Sequence, residues 1–559
     1  MNNNPYNDRF GHFKDGFRNL GPELFYHRSY GKKESSRKPW WIILIFTLII
    51  MAVYFFFFLP SLSPMGPDLY FTIFLGLLIF WVLMLFAGRR PKSLKAFNIS
   101  LIAAVISLLM PFIGRVIGLP IFWSKSYASL IEVEEGVFAD DIDKISMDQI
   151  PIVDRVAAGV IGEKQMGSMG ELVSQFNIAD NYSQVNINGK PVRVSPLEYY
   201  DFIKYLGNFR NGIEYYISVD MTSQEGKLNK LENPIFYSES DYLMRDLGRH
   251  LRFKYPFALL GETNFEIDDD GEAWYVTPKL TKRIAFFNAP DTEGVILTNA
   301  NSGECIYHPK DDIPAWVDRA FEAKTIINQL NQKGLYSGGF FNSVFGQKNV
   351  TSTTDGYNYI SLDGDIYLIT GVTSVRSDTS NLGFYYVNLR TKECVFYPCP
   401  SATEAAAMES AGGKVQEKNY VPTFPVVLNI QDRPVYFMSL KDRSLTAKMF
   451  ALVDAEQFTD VVVGNSVQEV LKLYYEENPG LIDPADLGDQ ADELTITMIK
   501  SLVIDGNTVY YLQCEEDDFI YEAEPEDLGP EIAFWQPGDK IKVITSAGEG
   551  VRKITMIAE

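Results

Sequence analysis

The stretch "EGVILTNANSGECIYHP", Glu293–Pro309, returns later in the chain as "LGFYYVNLRTKECVFYP", Leu382–Pro398. The two align without a gap. Gly294, Asn299, Glu304, Cys305 and Pro309 match Gly383, Asn388, Glu393, Cys394 and Pro398, and Ile306 and Tyr307 stand opposite Val395 and Phe396. Alternating apolar residues on either side of a polar turn ("NANSGE", "NLRTKE") spell an antiparallel hairpin. A strand around a Gly-acid turn precedes each, in "GEAWYVTP" from Gly271 and "GDIYLITG" from Gly364.

Helical patterns follow the hairpins. "IPAWVDRAFEAKTIINQLN" sets Trp316, Ala320, Ala323, Ile327 and Leu330 on one face, and "SATEAAAM" gives Ser401 and Glu404 capping-box spacing. A fainter third copy runs through "RPVYFMSLKD", "AKMFALVDAEQFTDVVVG" with Asp454 in place of Asn, and the helix "SVQEVLKLYYEE" with a box at Ser466 and Glu469. Another helix, "SDYLMRDLGRHL", precedes the first hairpin, with Leu243, Leu247 and Leu251 on one face. One small helix-plus-antiparallel-sheet module is thus used about three times over residues 238–478. A single copy buries too little surface to stand alone, so the copies are expected to pack on one another.

Three apolar runs precede these modules: Trp40–Pro60, Leu69–Gly88 and Ile99–Gly114, the last extending to Trp123 if Arg115 snorkels to a headgroup. A bilayer core takes roughly 20 apolar residues as a helix, so residues 40–123 predict three transmembrane helices. The first run follows a mostly polar basic tail, 1–39, and no small-residue cleavage site follows it, so no signal peptide is expected. Eight Lys or Arg precede Trp40, the loop "PSLSPMGPD" has none, and "RRPKSLK" has four. The basic-residue bias therefore predicts a multi-pass cell-membrane protein with a cytoplasmic amino terminus and a large extracytoplasmic carboxyl-terminal part. Up to Arg115, 13 basic residues oppose five acids, a charge of +8; the whole chain carries −22, which leaves −30 for the rest. That acidity argues against nucleic acid as a partner.

Residues 124–237 read as a membrane-proximal α+β region, with a helix in "YYDFIKYLGNF" and a strand in "GIEYYISVDM". Residues 479–493 are Pro-, Gly- and Asp-rich and read as a linker. Residues 494–559 alternate as about five short strands and predict a small OB- or SH3-like β-barrel. The fold class is therefore a multidomain membrane protein with three helices, tandem α+β modules and a terminal barrel.

Little here points to chemistry. The four histidines, His12, His27, His250 and His308, form no HExxH or metal-ligand cluster, and no cofactor motif is legible. Ser35 and Lys38 have SxxK spacing only within the basic tail, and "GSMG" at Gly167 lacks the nucleophile-elbow pattern. "EIDDDGEAWY" sets Glu266, Asp268, Asp270 and Gly271 as in a calcium loop, but position 12 is Thr277 where a bidentate Glu is needed. No catalytic or metal residue is assigned. Cys305, Cys394, Cys399 and Cys514 make no CxxC pair, and sequence leaves their disulfide state open. The aromatic-glycine loop "GLYSGGFFNSVFG" supplies the candidate partner-binding residues Tyr336, Phe340, Phe341 and Phe345, which would grip a peptide or touch the membrane, with burial between modules as the alternative.

The order strand, "N-x-x-S/T-x-E", strand, helix resembles the PepSY type of extracytoplasmic bacterial module, which carries a similar "D-x-x-T-G-E" turn. The match rests on Asn299, Ser302, Gly303 and Glu304, and on Asn388, Thr391 and Glu393, with Lys392 in place of Gly. "TTDGYNYI", "TFPVVLNI" and "AMESAGGKVQ" are similar to a group of clostridial-type (Firmicutes) membrane proteins. The resemblance implies location and shape, and an association with regulating secreted peptidases. The expectation is a membrane-anchored, non-enzymatic binding, regulatory or scaffold protein of the bacterial envelope, whose partners are the lipid bilayer and an envelope protein or peptide. The alternatives are an envelope enzyme using carboxylates on wall or peptide substrates, and a subunit of a membrane transport assembly.

Overall fold

In the computed structural model the described residues are 40–87, 94–142, 150–187, 189–362, 364–375, 380–431, 433–478, 492–504, 507–517, 519–528, 530–545 and 551–557. The basic tail, with His12, His27 and the SxxK spacing, and all but the last two residues of the linker lie outside them. The chain divides into two compact units, one of residues up to 58 with 73–105, the other of residues 59–72 with 106 onward.

The first unit holds the apolar helix α1 (Trp40–Phe58), helix α2 (Pro67–Phe86) from Ile73 onward, and the first half of α3 (Leu94–Ile117), up to Val105. All three are long and apolar enough to cross a membrane. Trp81 on α2 donates Nε1–H to Ser100 Oγ at 2.9 Å, and its ring meets Phe97 edge-on at 4.7 Å. The third helix does not run on to Trp123. It stops at Ile117, and a separate short helix α4 (Pro120–Ala128) starts at Pro120, whose ring presets the first helical φ but supplies no N–H to continue α3.

The second unit is built from one topology repeated four times. Each copy is a meander of four strands, with a short extra strand on the far half of the second. The first copy is β2 (Phe176–Ile178), β3 (Ser183–Ile187), β4 (Lys190–Tyr199), β5 (Ile213–Asp220) and β6 (Gly226–Ile235), preceded by helix α5 (Arg155–Gly167). Helix α6 (Phe202–Asn208) lies between β4 and β5. The second is α7 (Leu247–Lys254) with β7 (Leu259–Leu260), β8 (Asn264–Ile267), β9 (Ala273–Ile284), β10 (Asn288–Asn299) and β11 (Cys305–Pro309). The third is α8 (Ala323–Tyr336) with β12 (Thr351–Thr353), β13 (Asn358–Leu362), β14 (Asp365–Ser374), β15 (Ser380–Asn388) and β16 (Cys394–Ala402). The fourth is α9 (Glu404–Lys414) with β17 (Val421–Pro422), β18 (Val426–Ile430), β19 (Arg433–Lys441), β20 (Ala447–Asp454) and β21 (Val461–Gly464), closed by α10 (Val467–Glu477). The region read from sequence as a distinct membrane-proximal domain therefore contains the first copy, and the count is four.

A shared turn explains why the copies look alike. Asp220, Asn299, Asn388 and Asp454 each end the same strand. In each, the side-chain Oδ1 accepts the backbone N–H groups two and three residues ahead. Their own N–H groups donate across the turn to Glu225, Glu304, Glu393 and Asp460 carbonyls at 2.9, 2.9, 2.9 and 3.1 Å. Sites for this turn need short side chains with an acceptor, hence Asn or Asp.

Equivalent strands meet in the middle. β3 packs on β8 and β14, and β13 on β18; Asn186 Nδ2 donates to Ser361 Oγ at 2.7 Å. Phe384, Tyr386, Tyr436 and Phe437 are buried there, each worth about 1.5–3 kcal/mol in apolar burial. A short parallel strand, β1 (Glu134–Glu135), joins the edge at β16.

Three helical expectations change. "IPAWVDRAF" is not helical; α8 begins at Ala323. The N–H groups of Ala320 and Phe321 donate to the Leu389 carbonyl, and those of Asp318 and Arg319 to the Glu266 carboxylate, so this backbone is satisfied without a helix. Leu243 is exposed because Asp246 caps α7 after it. Ser401 lies in β16; Thr403 caps α9, and Glu404 instead accepts from Gly371 N at 2.8 Å. The box at Ser466 does form its first bond, to Glu469 N at 3.1 Å.

The carboxyl-terminal strands β22 (Asp492–Ile504), β23 (Asn507–Cys514), β24 (Ile520–Ala523), β25 (Lys540–Thr545) and β26 (Val551–Ile557) close into a barrel of order β22-β23-β24-β26-β25. All four cysteines are free thiols.

Candidate functional site: an apolar face and an acidic notch on the first copy

Helix α6 is held at its start by Asp201, whose carboxylate accepts from Ile203 N and Lys204 N at 2.8 and 2.9 Å. Only Tyr205 of this helix is buried. Phe202, Ile203 and Leu206 point outward, 47, 74 and 56% exposed, joined by Tyr200, Phe209, Leu243 and Met244. The surface is firm. Tyr205 touches the rings of Tyr199, Phe209 and Tyr242 at 5.4, 5.7 and 5.1 Å, and the Arg245 guanidinium lies 4.0 Å over Phe209. Apolar side chains grouped this way on a rigid scaffold mark a contact surface. An open cleft of about 470 Å³ adjoins it, lined by Met169, Leu172, Phe176, Asn208, Glu214 and Tyr215.

Strand β4 reaches this face through Glu198, which borders a second, narrow cleft with Glu239, Ser238, Asn181 and Tyr275. Its volume, about 20 Å³, admits one water-sized group. Burial raises the Glu198 and Glu239 carboxyls, and each has further carboxylates nearby that raise it more. Behind them Asp241 is pushed up to about 7 by burial, partly offset by the Ser238 hydroxyl at 2.7 Å. The Tyr275 hydroxyl is buried and finds no hydrogen-bond partner among the described residues. An acceptor-rich notch of this size suits an ammonium group.

Neither feature is legible in the sequence. The apolar run 199–209 was legible as a helix, but nothing in it told which face would remain uncovered. Glu198, Asp241 and Tyr275 come from separate segments.

The four aromatic-loop candidates do come together. Tyr336 ends α8, half-buried, and its ring leads to Phe340 at 6.5 Å, Phe341 at a further 5.7 Å and Phe345 at 6.5 Å. Phe341 and Phe345 are 67 and 76% exposed, so they do not fill a space between modules. The suggested calcium loop is a hairpin turn. Asp268 accepts from Asp270 N, Glu272 N and Trp274 Nε1, and Gly271 takes φ +83°. Glu266 points away from it, fully buried, and forms with the buried Asp318 a carboxyl pair in which burial raises both. Among the described residues no three His, Cys, Asp or Glu side chains converge as metal ligands. His250 packs on Tyr237 at 4.5 Å between ring centroids, and its Nε2 lies 2.7 Å from the Gly303 carbonyl.

No protein-family profile matches the chain, and no curated relative is found.

Proposed function

We propose that this chain is a membrane-anchored extracytoplasmic protein of the bacterial envelope that works by contact, as a binding, regulatory or scaffold component. The observation that carries this reading is the exposed apolar face of α6 with Leu243 and Met244, held on a rigid aromatic base. The acidic notch beside it supports a polypeptide partner that covers α6 with apolar side chains and presents a basic one to Glu198 and Glu239. The four-fold repetition supports PepSY-like modules, and repetition enlarges a surface without adding reactive groups. In the barrel, the order β22-β23-β24-β26-β25 and the parallel pairing of β24 with β26 support an OB-like reading.

A photo-crosslinking residue at Ile203 in the full chain tests the proposal in cells. A discrete adduct that Glu239→Gln weakens is the expected result. No adduct at Ile203 or Leu206 rejects the surface. Hydrolysis of a wall peptide by the purified protein, lost on a single carboxylate change, rejects the non-enzymatic reading.

A further inference from the structure

We infer that the aromatic loop Tyr336–Phe345 is a membrane-surface anchor that inserts Phe341 and Phe345 among lipid headgroups beside the end of the third apolar helix. The inference goes beyond the partner surface on α6 and is independent of it.

Contacts fix the loop at the helix exit. The α3 helix ends at Ile117, and the Tyr127 hydroxyl on α4 donates to the Gly118 carbonyl at 2.7 Å. The Tyr127 ring is 6.0 Å from Tyr336, from which the stack Phe340, Phe341, Phe345 proceeds. The β9–β10 turn reaches the same place. Asn288 Nδ2 donates to the Gly114 carbonyl at 3.2 Å, and Phe287 packs so closely on Gly114 that a Cβ there would overlap its ring.

What these elements leave uncovered is apolar and aromatic. On α4, Phe122 is 67% exposed and Trp123 also faces out; on the loop, Phe341, Val344 and Phe345 do. At the β9–β10 turn Phe286 is exposed and sits at φ +63°, a region where a bulky side chain is strained and Gly or Asn is the usual choice. Most of the Phe286 side chain is left uncovered by the fold, although its backbone conformation is strained. Cations accompany these side chains: exposed Lys125 follows Trp123 on α4, Lys348 lies on the return of the loop, where its carbonyl accepts from Asn342 Nδ2 at 2.9 Å, and the Arg115 charge adds to burial in holding the Lys282 ammonium below its ordinary value. Aromatic side chains backed by cations next to a spanning helix are the composition of the bilayer–water interface. Continuity with α3 selects lipid over a protein partner as the occupant.

The test uses the full-length protein with Cys305→Ser, reconstituted in phosphatidylethanolamine–phosphatidylglycerol vesicles with and without brominated phosphatidylcholine. An environment-sensitive fluorophore is placed on Phe345→Cys, on Leu108→Cys within α3, and on Asp270→Cys. The last is a control at the far end of β9, about 36 Å from the Phe286 turn along a 12-residue strand. Brominated lipid is expected to quench the Phe345 and Leu108 probes about twofold and to leave Asp270 unchanged. Phe345 behaving like Asp270 while Leu108 is quenched overturns the inference, as does absence of quenching at Leu108. If Phe345→Cys does not assemble, Val344→Cys on the same turn gives the same reading.

Discussion

Lys392 Nζ lies 2.6 Å from Asp291 Oδ1, tying the turn of the third copy to a strand of the second. Lys392 holds φ +69°, the same value as Gly303 at the matching place in the second copy. A non-glycine residue there costs on the order of 1–2 kcal/mol. The compensation is tertiary: Lys392 also donates to the Leu130 carbonyl at 3.1 Å, and Asp291 holds Arg283 and Gln329 at 3.1 and 3.2 Å.

Lys392→Gly should therefore destabilise, although it relieves the backbone. It removes one of two cations from a buried carboxylate, leaving Arg283 as the remaining charge beside the neutral donors Gln329 and Thr292 N, and a net loss of about 1–3 kcal/mol is expected. Chemical denaturation measures it. A variant more stable than the parent would show the backbone term to dominate.

Asp220→Ala should lower stability by about 1 kcal/mol, and Asp220→Asn should be nearly silent. Both follow from the turn that Asp220 shares with Asn299 and Asn388. Equal losses for the two substitutions would mean that the charge, not the turn geometry, matters at this site.

The Glu266–Asp318 pair predicts a pH dependence. Burial raises both carboxyls, and the Glu266 charge raises Asp318 further, so the folded state retains a proton that the unfolded chain releases. Stability from this pair is full below the ordinary carboxyl range and falls as pH rises from about 4 through about 7. Asp291, held low chiefly by Lys392 against the cost of burial, acts in the opposite sense and only in acid. Thermal melts of Glu266→Gln should be flatter than the parent's across that window. Parallel curves would remove the pair from the account.

Phe341→Ser and Phe345→Ser should leave the melting temperature almost unchanged, because both side chains are mostly exposed. Phe384→Ser, fully buried, should cost about 3–5 kcal/mol. A steep loss at Phe345 would place it in a packed interface.

Orientation is testable in the loop between α1 and α2. Ser63 is buried and its hydroxyl accepts from Met65 N, so the exposed Pro64 is the better site for a cysteine. An impermeant reagent should label Pro64→Cys in intact cells and leave Ser93→Cys unlabelled. The reverse pattern inverts the expected topology.

Apolar length made the three helices legible, because a span needs little but uninterrupted hydrophobicity. The turn "N-x-x-S/T-x-E" made the second and third sheets legible, because a local side-chain-to-backbone geometry demands particular residues. "DMTSQE", Asp220–Glu225, fits the same rule with Asp in the first place, a signal of the first copy that the departure from Asn hid among ordinary turn residues. The start of α8 was not available locally: residues 317–321 have a helical pattern, but the Leu389 carbonyl and the Glu266 carboxylate, distant in sequence, take their N–H groups. Nor could sequence say that α6 keeps its apolar side outward, or that Glu198, Asp241 and Tyr275 enclose one notch. Exposure and convergence depend on which surfaces the other sheets cover, and that is settled only when the whole chain has packed.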